Sequence, residues 1–434
     1  MTVVERMKTG SHNELFYLLE KMCEEKKEFV PGKTTIHYAW AVYDHHEIFA
    51  ALESLLSGWL GIGKYASEFE KLFSEFLNVK YCVLSNSGSS ANLLAVEAIK
   101  LPKGAEAITP ATTFPTTLNP LIQKGIKPVF VDINPATYNL NTSDLEKAFS
   151  EKVKLVMLPH TLGNPNEMDA IMDFSADHGL HVVEDACDAL GSSYDGKYVS
   201  TFGDAGTFSF YPAHHMTMGE GGAVVTNNEE TSMTVRSLRD WGRACVCPVC
   251  KISLDPNADC PLRFVETLIP DYDKRFTYIN IGYNLKPLDL QAAIGLQQLK
   301  RLPSFIQKRK ENFKRLYDGL SIYERYFILP ESLPKADPCW FTFPLTVKDD
   351  APFKRKDIVT FLEDHRIGTR PLFAGNIIKQ PAYTNIDYKV IGNLENSDRS
   401  MRSSFFIGVH PGLTKEMLDY ILNTFEEFMR RVKE

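Results

Sequence analysis

The 434-residue sequence predicts an α/β protein: a large domain on a mostly parallel sheet, followed by a smaller C-terminal α+β domain. Two observations carry this expectation. From about residue 80 to 226, short apolar runs alternate with amphipathic helix patterns, the signature of strands joined by crossover helices. After about residue 300 the strict alternation stops, and helix patterns bracket a single strand. The implied division is an N-terminal segment 1–40, a large domain 41–300 and a small domain 301–434.

Taken in order, a first helix is expected around Glu14–Lys26. A second lies near His46–Trp59, where Ile48, Phe49, Leu52, Leu55, Leu56 and Trp59 recur at three-to-four spacing. Strands are expected at Tyr81–Leu84, Pro128–Val131, Val153–Met157 and His181–Glu184, with another ending within Phe208-Ser-Phe-Tyr. Helices fall at Ser89–Lys100, Pro115–Gln123, Thr142–Phe149 and Asp169–Asp177. A long irregular stretch, Gly242–Tyr278, then interrupts the pattern; loops beyond ~12–15 residues are usually functional or disordered. Helices at Leu288–Leu302 and Ile306–Leu320, a strand at Phe341–Val347, and helices at Lys356–His365 and Lys415–Arg431 complete the chain.

Lys and Arg number 48 against 55 Asp and Glu, so a net charge of −7 offers no global field for nucleic acid or an anionic membrane. No apolar run reaches the ~18 residues of a membrane span, and the amino terminus has no apolar signal core. A cytoplasmic protein is expected, with no nucleic-acid or membrane partner. Of eight cysteines, four lie between Cys245 and Cys260; in a reducing compartment such a group points to metal or redox chemistry.

Sheets of this kind bind ligands beyond the carboxyl ends of their strands, so the loops there draw attention first. Asn86-Ser-Gly-Ser-Ser-Ala-Asn follows a strand and opens a helix, where free N–H groups suit either a phosphate or an ordinary serine cap. Glu184-Asp-Ala-Cys-Asp ends a strand; Asp185 is either a structural group or the partner of a protonated heterocycle nitrogen. Phe208-Ser-Phe-Tyr-Pro-Ala-His-His ends another strand in a hydroxyl and two histidines ahead of a Gly-rich turn. Four thiolates suit an iron–sulfur centre, whereas Cys247-Pro-Val-Cys250 has spacing equally suited to structural zinc.

These segments, in this order, resemble the DegT-type nucleotide-sugar aminotransferase family from about Leu55 to the C-terminus. Thr112-Thr-Phe-Pro-Thr, Gly219-Glu-Gly-Gly and Gly282-Tyr-Asn-Leu add to the likeness. The resemblance implies the pyridoxal-phosphate type I (aspartate aminotransferase-like) fold and a homodimer. It assigns Asp185 to the pyridine nitrogen, Gly88, Ser89 and Ser209 to the phosphate, and Phe114 to stacking on the ring. Asn284 would reach the phosphate in the partner subunit. One departure decides the chemistry: where the family's Schiff-base lysine stands, five residues after Ser209, this chain has His214. Without that amine the cofactor cannot be held covalently.

A group of 3-dehydrases within the family shows the same exchange, and the likeness to it implies pyridoxamine phosphate as cofactor and His214 as base. It implies C3 dehydration of a nucleotide-diphosphate 4-keto-6-deoxyhexose, with Arg370 on the substrate side. One of its subgroups carries a 2Fe–2S cluster reduced by a flavin/iron–sulfur reductase. That subgroup's signature matches Cys187, Asp240-Trp-Gly-Arg, Cys245-Val-Cys247 and a further cysteine. Cys260, three residues before Arg263-Phe264, fits the last place better than Cys250. The other readings are a cluster-free dehydratase and a non-catalytic cofactor-binding regulator.

Overall fold

The computed structural model describes residues 11–24, 28–247, 250–255 and 257–433. They form two compact units, each assembled from separate stretches of chain. One takes the described parts of 1–28, 41–98 and 209–302; the other takes 29–40, 99–208 and 303–434.

The second unit holds the parallel sheet. Its strands lie in the order Ala205–Ser209, His181–Asp185, Val153–Pro159, Glu106–Pro110, Lys127–Val131 and Lys389–Val390, every pair parallel. The strands are nearly all apolar because both faces are covered. On one side Ile108, Val129, Val156, Leu158 and Val182 pack against Met168, Ile171 and Phe174 of the helix Met168–Asp177. The same unit carries an antiparallel sheet in the order Phe327–Ile328, Thr342–Val347, Ser404–Gly408 and Arg370–Pro371. The helices Arg355–Asp364 and Lys415–Lys433 accompany it, giving the expected α+β character.

In the first unit, Tyr81–Ser85 pairs antiparallel with Gly222–Thr226. The helix His45–Leu56 starts in a capping box, Asp44 accepting from the His46 N–H while Glu47 accepts from the Asp44 N–H. A buried ionic knot ties the strand to the helix Glu229–Arg239: Glu70 accepts from Arg236 (2.7 Å), Arg239 (3.3 Å) and the Leu84 N–H (2.8 Å). Both arginines also donate to strand carbonyls, of Cys82 and Leu84.

Several expectations need correction. The first helix is Ser11–Glu24, and the expected end at Lys26 lies outside the described residues. The helices expected at 288–302 and 306–320 are one, Asp289–Leu320, with Pro303 inside it. Proline removes one backbone donor, yet the buried stripe Leu302, Phe305, Arg309, Leu316 and Leu320 continues at helical spacing past it. The helix expected at Thr142–Phe149 is a 3₁₀ turn, Thr142–Asp144, running into the short Leu145–Ala148. Among the described residues, the stretch 242–278 is irregular as expected, broken by the short helical turns Lys251–Leu254 and Lys274–Phe276.

Candidate active site

Within the parallel-sheet unit, Asp185 ends its strand almost fully buried. Thr117, from the helix Pro115–Gln123, donates to its Oδ2 at 2.7 Å, and the Cys187 N–H donates to Oδ1 at 3.0 Å. Both carboxylate oxygens are therefore fixed in direction. Cys187 is partly exposed, and burial together with the Asp185 charge pushes its thiol well above the usual range. The neighbouring Glu184 does different work. Its carboxylate accepts from the N–H groups of Ser200, Phe202 and Gly203, each at 2.8 Å, and from His160 at 3.0 Å. The Asn166 N–H points at Nδ1 of His160, so that ring carries its proton on Nε2, the atom facing Glu184. Glu184 thus pins the loop 200–203, whereas Asp185 is held by Thr117 and the Cys187 N–H instead. Phe114 caps the helix Pro115–Gln123, half-exposed, with its ring edge-on to Phe373 at 5.9 Å. Arg370 is exposed, donating to the Thr369 carbonyl and lying 4.6 Å from the Tyr38 ring.

The other unit carries the serine-rich helix start. Ser87 Oγ accepts from the Ser90 N–H at 3.1 Å and donates to Ser90 Oγ, an ordinary serine cap. The N–H groups of Gly88 and Ser89, the first residues of the helix Gly88–Ala98, have no intrahelical acceptor. The strand Gly222–Thr226 passes so close that a Cβ on Gly222 would lie 2.2 Å from the Ser87 carbonyl and 2.6 Å from the Gly88 nitrogen. A side chain there would distort the cradle, so the backbone shape depends on glycine. Ser209 accepts from the Tyr211 N–H at 3.3 Å. His214 is half-buried, its N–H bonded to the Tyr211 carbonyl, whereas His215 is buried. The two histidines therefore face different surroundings.

In the same unit the two ends of the irregular loop are zipped together. Asp240 bridges Asn284, Arg243 bridges Tyr278, and the Ala244 N–H donates to the Thr277 carbonyl. The Asn86 N–H donates to the Leu285 carbonyl, so the chain entering the serine-rich turn runs beside the residue after Asn284. Asn284 is exposed and accepts from Lys286. Cys245 faces Cys247, and burial plus the nearby charges of Cys247 and Cys250 push its thiol up to about 11. Facing thiols of this kind become thiolates together when a cation compensates them, which suits a metal or iron–sulfur ligand set. Cys260 is partly exposed in the same loop. A cavity of about 240 Å³ beside Cys245 and Cys247 is lined also by Met233, Arg236 and Lys274.

The sequence reading missed Thr117, whose hydroxyl aims Asp185 from a different helix. Thr117 directly follows Thr112-Thr-Phe-Pro-Thr in sequence, but its hydrogen bond to Asp185 depends on a contact between distant segments. No helix among the described residues is long and apolar enough to cross a membrane.

Comparison with known proteins gives a consistent answer. The chain is 46% identical over 415 residues to the lipopolysaccharide biosynthesis protein RfbH of Salmonella typhimurium, covering 93% of each. It is 43% identical over 421 residues to a dTDP-4-dehydro-2,6-dideoxy-D-glucose 3-dehydratase of Saccharopolyspora spinosa, covering 94% of this chain and 89% of that one. Among solved structures it superposes on E. coli GDP-4-keto-6-deoxy-D-mannose-3-dehydratase with bound hydrated PLP at a TM-score of 0.81 and 30% identity, over 90% of this chain and 99% of the other. The model of the DegT/DnrJ/EryC1/StrS aminotransferase family matches residues 42–426, and the chain belongs to that family, with its pyridoxal-phosphate-dependent aminotransferase-like α/β fold.

Proposed function

We propose that the protein is a pyridoxamine-phosphate-dependent 3-dehydratase of a nucleotide-linked 4-keto-6-deoxyhexose. In this reading it carries a 2Fe–2S cluster and receives electrons from a flavin/iron–sulfur reductase, completing C3 deoxygenation in 3,6-dideoxysugar biosynthesis. The carrying observation is His214 at the position where the family's aminotransferases hold their lysine. The relative named as a 3-dehydratase, at 43% identity, supports it. The proposal takes 41–300 as the cofactor-binding domain, 301–434 as the smaller domain and the active protein as a homodimer.

When bound, pyridoxamine phosphate supplies a nucleophilic amine and a ring that accepts electron density. Asp185, aimed by Thr117 and the Cys187 N–H, would hold a protonated ring nitrogen by a charge-assisted hydrogen bond. Gly88 and Ser89 offer backbone donors, and Ser209 a hydroxyl, to the phosphate; Phe114 offers a ring face. His214 would move the proton, its imidazole standing where the family's aminotransferases hold their lysine. In this reading Arg370 belongs to the substrate side, as the family resemblance implies. Cys187, Cys245, Cys247 and Cys260 would hold the cluster, whose chemistry is one-electron transfer.

The test is anaerobic purification followed by absorption spectroscopy, iron and sulfide analysis, and incubation with pyridoxamine phosphate, a nucleotide 4-keto-6-deoxyhexose and a reduced flavin/iron–sulfur reductase that supplies the electrons. The expected results are about two irons and two sulfides per chain and a 3-deoxy product that keeps no nitrogen. An amino sugar as product would overturn the dehydratase assignment. Dehydration by iron-free protein would leave the dehydratase and remove the cluster.

A further inference from the structure

The segment that opens the cysteine loop contains a charge arrangement the reading above does not use. Trp241 has φ of +62°, a left-handed backbone that a bulky side chain rarely adopts. Three hydrogen bonds hold it there: the Trp241 N–H to the Tyr283 carbonyl (2.6 Å), the Gly242 N–H to the Ser237 carbonyl and the Ile279 N–H to the Gly242 carbonyl (2.7 Å each). Gly242 is irreplaceable in that turn, since a Cβ would lie 1.8 Å from the Asn280 carbonyl. The indole this turn presents is partly exposed and carries two cations: Lys286 Nζ lies 3.1 Å from its ring centre and the Arg243 guanidinium 4.5 Å.

The local carboxylates are already taken. Asp240 receives Arg239 at 2.9 and 3.4 Å, and Glu70 receives Arg236 and Arg239. Among the described residues, neither Arg243 nor Lys286 has a carboxylate within ion-pair distance, and the buried Nε of Arg243 has no hydrogen-bond partner. Lys286 donates only to the neutral amide of Asn284, at 2.7 Å. Burial and the charges of Arg239 and Arg243, opposed by Asp240, bring its ammonium down to about 8. Two half-buried cations held together with no carboxylate at ion-pair distance among the described residues are costly unless an anion joins them.

We propose that Arg243 and Lys286, positioned by Trp241, form a binding site for a diphosphate group. Two cations on one rigid indole offer donors to two phosphoryl units, and charge-assisted N–H···O bonds of this kind are the strong ones. The assignment rests on the proposed function only in naming the donor of the diphosphate, the nucleotide-linked substrate. An inorganic probe therefore keeps the two separable.

The experiment is calorimetric titration of the cofactor-loaded protein with inorganic pyrophosphate and, separately, inorganic phosphate, at low ionic strength. Pyrophosphate is expected to bind more tightly than phosphate. Its Kd should rise at least about tenfold in Lys286→Gln and in Arg243→Gln, and return in Lys286→Arg. Pyrophosphate should also slow acylation of Lys286 at pH 8, read by mass spectrometry on the folded wild-type protein, because a bound anion returns the amine to its charged form. Absence of pyrophosphate binding by wild type, equal affinity in both charge-removing variants, or tighter binding of phosphate would overturn the assignment.

Discussion

Two adjacent histidines differ only in what surrounds them, and that difference predicts different losses. His214 is half-buried after the strand that ends at Ser209, whereas His215 is 2% exposed. In the proposed reaction only His214 moves a proton, so His214→Asn should retain pyridoxamine phosphate while dehydration falls by about 10²-fold or more. His215→Asn should lose less than about tenfold once corrected for folded protein. Solvent deuterium exchange into the bound cofactor is the direct check; near-normal exchange in His214→Asn would assign the base elsewhere. A third histidine has a structural consequence. His410 is buried, with one ring nitrogen facing the His37 carbonyl at 3.0 Å. Burial, and the charge of Arg309, bring its pKa down to about 3. Below its ordinary pKa of ~6.5 the unfolded chain binds a proton that the folded chain refuses, so stability falls as pH drops from there toward 3. By pH 5 that loss is about 2 kcal/mol for this group alone. His410→Gln, which keeps a donor toward the His37 carbonyl, should remove about one proton from the slope of stability against pH between 5 and 6.5 in urea titrations.

Elements whose start signals are local could be read; elements completed from afar could not. The helix Lys64–Leu77 was not anticipated, and its cap shows why. Its N-cap is Gly63, which has no side chain, and the acceptor is Asp289, at the start of the helix Asp289–Leu320. Asp289 Oδ1 receives the N–H groups of Gly63 and Ala66, each at 2.9 Å. Asp289→Ala strands those donors at the buried end of a helix and should cost about 1–2 kcal/mol, measured as a lowered urea midpoint with unchanged slope. An unchanged midpoint would mean that water or another group caps the helix equally well. By contrast, Pro115–Gln123 was placed to the residue, because Pro115 at its first position is a signal carried by the helix itself. The same logic divides the site. Asp185, Ser209 and His214 sit at strand ends where a sequence pattern can point. Thr117 aiming Asp185, and Arg243 meeting Lys286 over Trp241, depend on contacts between distant segments that no local pattern records.

For the whole molecule, the family resemblance sends Asn284 to the partner's cofactor phosphate, and the residues around it bear on that expectation. In the isolated chain Ile281 is 96% exposed, and Ile279 and Leu288 are about half exposed, on either side of Asn284 in sequence. If Asn284 reaches a partner, these apolar neighbours travel with it and lose their contact with water. Burying an isoleucine side chain is worth about 1.5–3 kcal/mol, and two-fold symmetry counts it twice per dimer. Ile281→Glu replaces that gain with two charges to desolvate, so the dimer dissociation constant should rise by about 10²-fold or more. Sedimentation equilibrium over a dilution series measures the shift. Activity per chain should fall along the same dilution curve, because each site would lack its second subunit, while Ile281→Val should leave both nearly unchanged. A variant Ile281→Glu that stays dimeric when dilute places the interface elsewhere. A monomer that turns over at the full rate shows that each chain completes its own site.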